Sequence, residues 1–145
     1  MASVGCRAGH PGCQGWEQFL YSSKTLGGVF IQYWLLNYNS ACPAGWGAYS
    51  VHCYRNGTSF TAAPVQAITT LGSLKLSGTA TGGVGGLDTA ILDNGTTMYA
   101  ASDPDNILTL SAGWTAVEFT LVGDCCGAQA NFNGGSTVIA QTVVH

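Results

Sequence analysis

The sequence is poor in charge, since only 8% of its 145 side chains are Asp, Glu, Lys or Arg. Four residues are basic, and Arg7, Lys24, Arg55 and Lys75 are scattered along the chain. A protein that binds nucleic acid needs clustered cations to neutralise phosphate groups. The composition therefore excludes nucleic acid as an expected partner, and it sets no oligomeric state.

Long apolar segments are missing as well. A helix that crosses a bilayer needs about 20 consecutive apolar residues, whereas VFIQYWLL at 29–36 is shorter and contains Gln32. The sequence therefore predicts no membrane partner. The N-terminal residues MASVGCRAGHPGC lack the apolar core of an export signal, and STVIAQTVVH at the C-terminus stops within a strand pattern. We expect the chain to be a segment of a longer exported precursor.

Helical periodicity is absent, because Gly, Thr, Ser and Asn interrupt every candidate window. Short β-branched and aromatic runs instead alternate with Gly, Asn and Asp turns, which is typical of an all-β sandwich or barrel. The clearest hairpin turn is Asn94 with Gly95. We expect one domain across 1–145. The predicted strands are 16–22, 29–38, 65–70, 73–80, 87–93, 97–101, 106–110, 114–122, 128–132 and 136–144.

Six cysteines in a chain of this size indicate an oxidising compartment, so we expect a secreted protein with a disulfide framework. Proximity in the sequence favours two bonds, and a third pair is adjacent. The expected bonds are Cys6 with Cys13 and Cys42 with Cys53, while Cys125 and Cys126 either bond to each other or stay free. The bonds suggest an irregular N-terminal segment at 1–13 and a long stapled loop at 40–60, where periodicity is weak.

Metal ligands are sparse. The cysteines lack a C-x-x-C pair and the histidines lack ligand spacing, which argues against zinc. Calcium is another option, since SDPDN at 102–106 is an acidic turn and Asp88, Asp93 and Asp124 lie elsewhere in the chain. One turn with two carboxylates falls short of the six to eight oxygen ligands that Ca²⁺ takes. We therefore expect no metal and no cofactor.

Polar side chains lie within the two most apolar segments, at 16–22 and 29–38. Because side chains alternate along a strand, residues two apart share a face. If the strands at 16–22, 29–38 and 114–122 lie in one sheet, one face carries Trp16, Gln18, Gln32, Trp34, Trp114 and Glu118. Aromatic walls around a few convergent polar groups are typical of a ligand groove. The alternative is a half-buried face whose amides bond to their neighbours. The opposite set, Ile31, Tyr33 and Leu35, is the expected core.

These segments resemble a known family. CQGWEQFLYS, GVFIQYWLLNY, LKLSGTA, AGWTAVEFTLVGD and AQANFNGGSTV look like the ordered strand blocks of secreted bacterial and fungal proteins related to glutamic peptidases (eqolisins). The resemblance spans about 13–140. It implies an antiparallel double-sheet sandwich, a concanavalin-like jelly roll, in which the family's first strands have no counterpart before Met1.

The resemblance also implies catalytic residues. Gln18 follows Cys13 and Gln14 and precedes the QYW block at 32–34, which matches the position of the family's catalytic Gln. In VEFTLV at 117–122, Glu118 matches the first Glu of the family's strand, and Val122 stands at the position of the catalytic second Glu. A carboxylate can activate water while an amide stabilises the oxyanion. Gln18 and Glu118 are the candidate catalytic pair, with Gln32 as another donor and the three tryptophans as substrate-binding walls.

Three functions remain open at this stage. The first is metal-independent peptide hydrolysis at acid pH, or a relative of such an enzyme that has lost catalysis. The second is a binding module that uses Trp16, Trp34 and Trp114 as platforms for a polysaccharide or an extended polypeptide. The third is a structural surface protein, for which Gly-rich turns and low charge suffice.

Overall fold

The computed structural model describes residues 6, 9–23, 27–123 and 128–145. The chain divides into two compact units, Met1–Trp114 and Thr115–His145. The first unit contains all seven strands found in the described part of the chain, and they form two antiparallel sheets. The expectation of an all-β fold with a double-sheet sandwich is confirmed. The jelly-roll connectivity and the single domain across 1–145 stay predictions.

The first sheet has the strand order β1-β2-β4-β3, and the second has the order β5-β6-β7. The strands of the first sheet are β1 (Gln14–Ser22), β2 (Gly28–Leu36), β3 (Gly47–Tyr49) and β4 (His52–Ala62). Those of the second are β5 (Lys75–Ala80), β6 (Leu87–Asp93) and β7 (Met98–Pro104). Three 3₁₀ helices complete the described elements, at Ile68–Ser73, Asp105–Ile107 and Leu110–Ala112. None of the described helices is long and apolar enough to cross a bilayer.

Alternation along β2 decides which side of the first sheet is buried. Val29, Ile31, Tyr33 and Leu35 have no exposed surface, whereas the residues between them are only partly buried. The second sheet supplies the opposing layer of the core, Ala90, Leu92 and Ala101. Ile31, Tyr33 and Leu35 thus form the core face that the sequence predicts. Because the buried side of an antiparallel sheet faces its partner sheet, the other side of the first sheet points away from the sandwich.

Both expected local disulfides are present, Cys6–Cys13 and Cys42–Cys53. Such bonds persist only where thiols are not kept reduced, so the protein is suited to an oxidising, extracellular environment. Cys125 and Cys126 lie outside the described residues.

The segment 40–60 is stapled, but the prediction that it is a loop is wrong. It contains β3 and most of β4, which at eleven residues is the longest strand described. Two features hide this strand in the sequence. Its inward positions include the polar residues Arg55, Ser59 and Thr61. Its pairing with β2 shifts register between Phe30 and Gln32, which indicates a bulge. The bulge interrupts the two-residue period on which a strand prediction rests.

Five other predicted strands differ from the structure. Half of 65–70 and most of 106–110 lie in 3₁₀ helices. The second segment is folded back because the backbone N–H of Thr109 donates to the carbonyl of Asp105. In the second unit, the described residues of 115–145 have no named strand. They contain one isolated antiparallel bridge, between Val122 and Gln129. Their apolar side chains are exposed, so no core fixes the expected strand pairing there.

Burial of Leu92 gives the first testable prediction. Leu92 and Leu76 are direct cross-strand partners, but Leu92 on the central strand is 1% exposed and Leu76 on the edge strand is 42% exposed. Leu92→Ala should lower the free energy of unfolding by about 2–5 kcal/mol, and Leu76→Ala by less than half as much. Urea unfolding followed by circular dichroism measures both. Equal losses would mean that β6 does not lie at the centre of this core.

Candidate functional site

The outward side of the first sheet brings four of the predicted site residues together. In the β1–β2 register Trp16 lies opposite Trp34, and Gln18 lies opposite Gln32. All four side chains are partly buried. Directly opposed residues of an antiparallel pair have side chains close enough to touch, so these four form one continuous patch.

The indole of Trp34 organises the amides. Its Nε1–H donates to Oε1 of Gln18 at 2.9 Å and to Oε1 of Gln32 at 2.8 Å. The Nε2 group of Gln32 in turn donates to Oδ1 of Asn56 at 2.7 Å. Since an indole N–H is only a donor, it fixes the oxygen end of both glutamines. The Nε2 group of Gln18 makes no hydrogen bond to a described residue, so it can donate to a ligand.

Aromatic rings surround this hydrogen-bond network. The ring centres of Trp16 and Trp34 are 6.2 Å apart. Tyr54 packs against Trp34 at 5.2 Å, and Tyr49 meets it edge-on at 5.9 Å. We call this patch the aromatic–amide face. Its members are Trp16, Gln18, Gln32, Trp34, Tyr49, Tyr54 and Asn56.

A pocket continues the aromatic–amide face toward the start of β2. It has a volume of about 270 Å³ and is lined by Phe30, Asn56, Gly57, Ser59 and Phe60. The rings of Phe30 and Phe60 are 6.2 Å apart, and the Phe60 side chain is 56% exposed. Because Asn56 belongs to both features, polar and aromatic groups run without a break along this side of the sheet.

The remaining predicted site residues, Trp114 and Glu118, do not lie on the described strands. Trp114 is the last residue of the first unit, outside any strand and 49% exposed. Glu118 belongs to the second unit, where it is exposed and not in a strand. None of the outward positions of the four described strands of the first sheet is Asp or Glu. The described face therefore supplies amides and rings but no carboxylate, and the pairing of Gln18 with Glu118 stays a prediction.

The inward side of β1 holds a group that the sequence analysis missed. Glu17 lies opposite Tyr33 in the β1–β2 register, and both of its carboxylate oxygens are buried. β1 packs across the sandwich against β6, where Asp88 is fully buried. Asp88 lies directly opposite Asp103 of β7, which is 1% exposed. Three acidic side chains thus meet between two sheets.

The carboxyl groups of Glu17, Asp88 and Asp105 are neighbours that can hydrogen-bond to one another when protons are present, and we call these three groups the carboxyl chain. Asp105 is its outer end, because Oδ1 accepts from the backbone N–H of Ser111 at 2.8 Å and Oδ2 accepts from the Ser111 hydroxyl at 2.6 Å. In their ionised forms, Glu17 and Asp88 have no donor among the described residues for any of their four oxygens. A carboxyl–carboxyl hydrogen bond requires a proton, so these oxygens can find a partner within the carboxyl chain only while Glu17 and Asp88 are protonated.

Burial and the neighbouring carboxyl groups shift the pKa values of the three acids in different directions. Burial, together with the charge and hydrogen bond of Asp88, raises the pKa of Glu17 to about 9. Burial and the hydrogen bond to Asp105 raise the pKa of Asp88 to about 7. Burial also raises the pKa of Asp105, but the hydrogen bonds from Ser111 and Asp88 outweigh it and lower that pKa below its ordinary value. Glu17 and Asp88 therefore act as donors, and Asp105 is the anion that accepts.

Asp103 is held differently. Its Oδ1 accepts from the backbone N–H and the hydroxyl of Thr58, at 2.8 and 2.7 Å, and from the N–H of Ser59 at 3.3 Å. A side chain at Gly57 would collide with this carboxylate, so the glycine makes room for it. The Oδ2 atom of Asp103 and the hydroxyl of Tyr33 are buried without a partner among the described residues. Burial raises the pKa of Tyr33 above its ordinary value.

No group of three or more His, Cys, Asp or Glu residues within the described ranges is arranged to hold a metal ion. Two features of the sequence point to the buried acids. Glu17 interrupts an apolar strand, and Asp88 and Asp103 begin and end strand-like runs. Their meeting depends on the packing of β1 against β6, which the sequence pattern alone does not specify.

Comparison of the chain with family models, curated proteins and solved structures gave no significant match. The relationship to glutamic peptidases therefore stays a prediction drawn from the strand blocks.

The anchoring of Asp103 gives the second testable prediction. Thr58→Val keeps the side-chain shape and removes one donor to a carboxylate, which should cost about 1.5–3 kcal/mol of unfolding free energy. Thr61→Val is a matched control on the same strand, because its hydroxyl donates to the neutral carbonyl of Ala100. That change should cost about 0.5–1.5 kcal/mol. Urea unfolding of both variants measures the difference, and an equal cost would contradict the anchoring role of Thr58.

Proposed function

We propose that the protein is a secreted carbohydrate-binding module that holds a polysaccharide chain on the aromatic–amide face. The single observation that carries this proposal is the shared hydrogen bonding of Gln18 and Gln32 to the indole of Trp34. This arrangement fixes two amides between aromatic rings before any ligand arrives. A preorganised site loses less side-chain entropy on binding.

The chemistry of the face suits a sugar chain. One side of a pyranose ring presents C–H groups, which pack on the negative face of an aromatic ring. The hydroxyl groups at the ring edge exchange hydrogen bonds with amides, which are both donors and acceptors. The separation of Trp16 and Trp34, 6.2 Å between ring centres, is comparable to the repeat of one sugar along a glycan. Two rings can therefore contact successive sugars.

A peptide ligand is less well supported. An extended peptide gains affinity mainly from the backbone groups of an exposed strand edge, whereas the aromatic–amide face consists of side chains that project from paired strands. The outward positions also lack a carboxylate that would recognise a basic peptide. Uncharged rings and amides match an uncharged glycan more closely.

Binding without turnover is favoured over hydrolysis for the same reason. Hydrolysis of the glutamic-peptidase type, like most glycoside hydrolysis, needs a carboxyl group that exchanges protons with the substrate. The proposed acid, Glu118, belongs to the second unit, and Val122 stands where the glutamic peptidases have their catalytic Glu. The hydrolytic role of Gln18 and Glu118 is the competing hypothesis.

Loss of an aromatic platform gives the third testable prediction. Isothermal titration with cellohexaose, chitohexaose and maltohexaose should identify at least one ligand of the wild-type protein. Trp16→Ala should then weaken binding about 30-fold or more, the loss typical of an aromatic hot spot. Met98→Ala is the control, because Met98 is 73% exposed on the second sheet and should leave the affinity unchanged.

One further variant and one activity assay complete the test of the proposal. Gln18→Ala keeps the Trp34 bond to Gln32 and should weaken binding without loss of strand content by circular dichroism. If no glycan binds the wild-type protein, or if Met98→Ala weakens binding as much as Trp16→Ala, the proposal is wrong. Cleavage of casein between pH 3 and 7 that is lost in Glu118→Gln would replace it with the hydrolytic hypothesis.

A further inference from the structure

We propose that the carboxyl chain of Glu17, Asp88 and Asp105 is a pH-sensitive latch, which closes the sandwich in acidic medium and releases it as the medium becomes alkaline. The inference is independent of the proposed function, because the latch lies on the inward side of β1 and the aromatic–amide face lies on the outward side.

The geometry leaves few ways to stabilise this part of the core. All oxygens of Glu17 and Asp88 are buried, and none has a donor among the described residues. An isolated carboxylate in such a place costs several kcal/mol. With one proton on each group, Glu17 donates to Asp88 and Asp88 donates to Asp105, whose charge is held by Ser111. Glu17 and Asp88 therefore join the two sheets when they are protonated, and they repel each other and Asp105 when they are ionised.

The surrounding groups do not offer a countercharge. The titratable and charged groups that surround Glu17 and Asp88 are Tyr33 on β2, Arg55 on β4, Asp103 on β7 and Asp105 in the helix that follows β7. The one cation among them, Arg55, lies over the ring of Trp46, 5.8 Å from its centre, and makes no ion pair with a described acid. Lys75 of β5, the neighbouring edge strand, is exposed. Ionisation would therefore add negative charge to an already negative space.

The location connects the latch to solvent. Asp105 lines a pocket of about 390 Å³, together with Thr109, Ser111 and the glycines at 83, 85 and 86. Thr109 has a positive φ of 58°, which is uncommon for a β-branched residue and closes the turn over Asp105. Protons can thus leave through the outer end of the carboxyl chain without prior unfolding.

The direction of the effect follows from proton linkage. The unfolded chain releases the protons of Glu17 and Asp88 near the ordinary pKa values of 4.5 and 3.8, whereas the folded chain retains them to about pH 9 and about pH 7. The folded state therefore binds more protons across this interval, and its stability falls as pH rises. The stabilisation by these two protons is greatest near pH 4 and is lost above about pH 9, whereas below pH 4 the lowered pKa of Asp105 acts in the opposite direction.

The pH dependence of unfolding gives the fourth testable prediction. In urea titrations the unfolding equilibrium constant should rise with pH by up to about a hundredfold per unit while both protons are retained, and by up to about tenfold per unit once Asp88 has ionised. Glu17→Gln and Asp88→Asn each remove one titrating group and keep hydrogen-bonding capacity, so each should remove about a tenfold-per-unit dependence. Asp93→Asn, a control at the end of β6, should keep the wild-type dependence.

Three results would overturn the latch. The first is a wild-type stability that is constant or rises between pH 5 and 9, a measurement that needs no variant to fold. The second is a steep pH dependence that persists in both Glu17→Gln and Asp88→Asn. The third is strong stabilisation at alkaline pH by millimolar CaCl₂, reversed by EDTA, which would assign the buried oxygens to a cation instead of protons.

Discussion

The packing of β2 against the second sheet is the constraint on which the rest of the structure depends. It buries Val29, Ile31, Tyr33 and Leu35 completely, and alternation along paired strands then assigns every neighbouring side chain to one side or the other. Gln18 and Gln32 must point outward, and Glu17 must point inward. The polar residues within the two most apolar segments are therefore not interruptions of a core strand. They belong to two distinct polar surfaces of one sheet.

The two surfaces place opposite demands on the same strand. On the outward side, the amides and rings of the aromatic–amide face are partly exposed, and their hydrogen bonds are satisfied by near neighbours such as Trp34 and Asn56. On the inward side, Glu17 is satisfied only when a proton is present, because Asp88 across the sandwich is itself an acid. The hydrogen-bond network of the first surface thus contains no titratable group, whereas that of the second consists of acids.

Much of this could be predicted from the sequence, for physical reasons that differ by element. β2 and β6 follow the two-residue period closely, since each has one buried face and regular pairing, and both were predicted within a few residues. The pattern does not predict β4, because a bulge breaks its period and polar residues such as Arg55 and Thr61 occupy its inward side. The strands expected at 114–122 and beyond are not formed, because exposed residues such as Val117 and Phe119 have no partner layer in the second unit.

The residues of the aromatic–amide face and of the carboxyl chain also differ in how far the sequence predicts their contacts. Trp16, Gln18, Gln32 and Trp34 could be grouped from the sequence because they lie on adjacent strands joined by a short connection, and alternation alone brings them together. Glu17, Asp88 and Asp105 could not, because their contact depends on how two sheets face each other. Local patterning specifies faces within a sheet, whereas contacts between sheets depend on tertiary packing.

The alternation of β1 has a consequence for how this chain can change over time. Deletion of a single residue within Gln14–Ser22 would exchange the two sides of the strand, so Glu17 would leave the interior at the same step as Gln18 left the surface. Loss or gain of two residues would preserve both assignments. Length variation in this strand among related chains is therefore expected in even steps only, so β1 should retain both surfaces or lose both together.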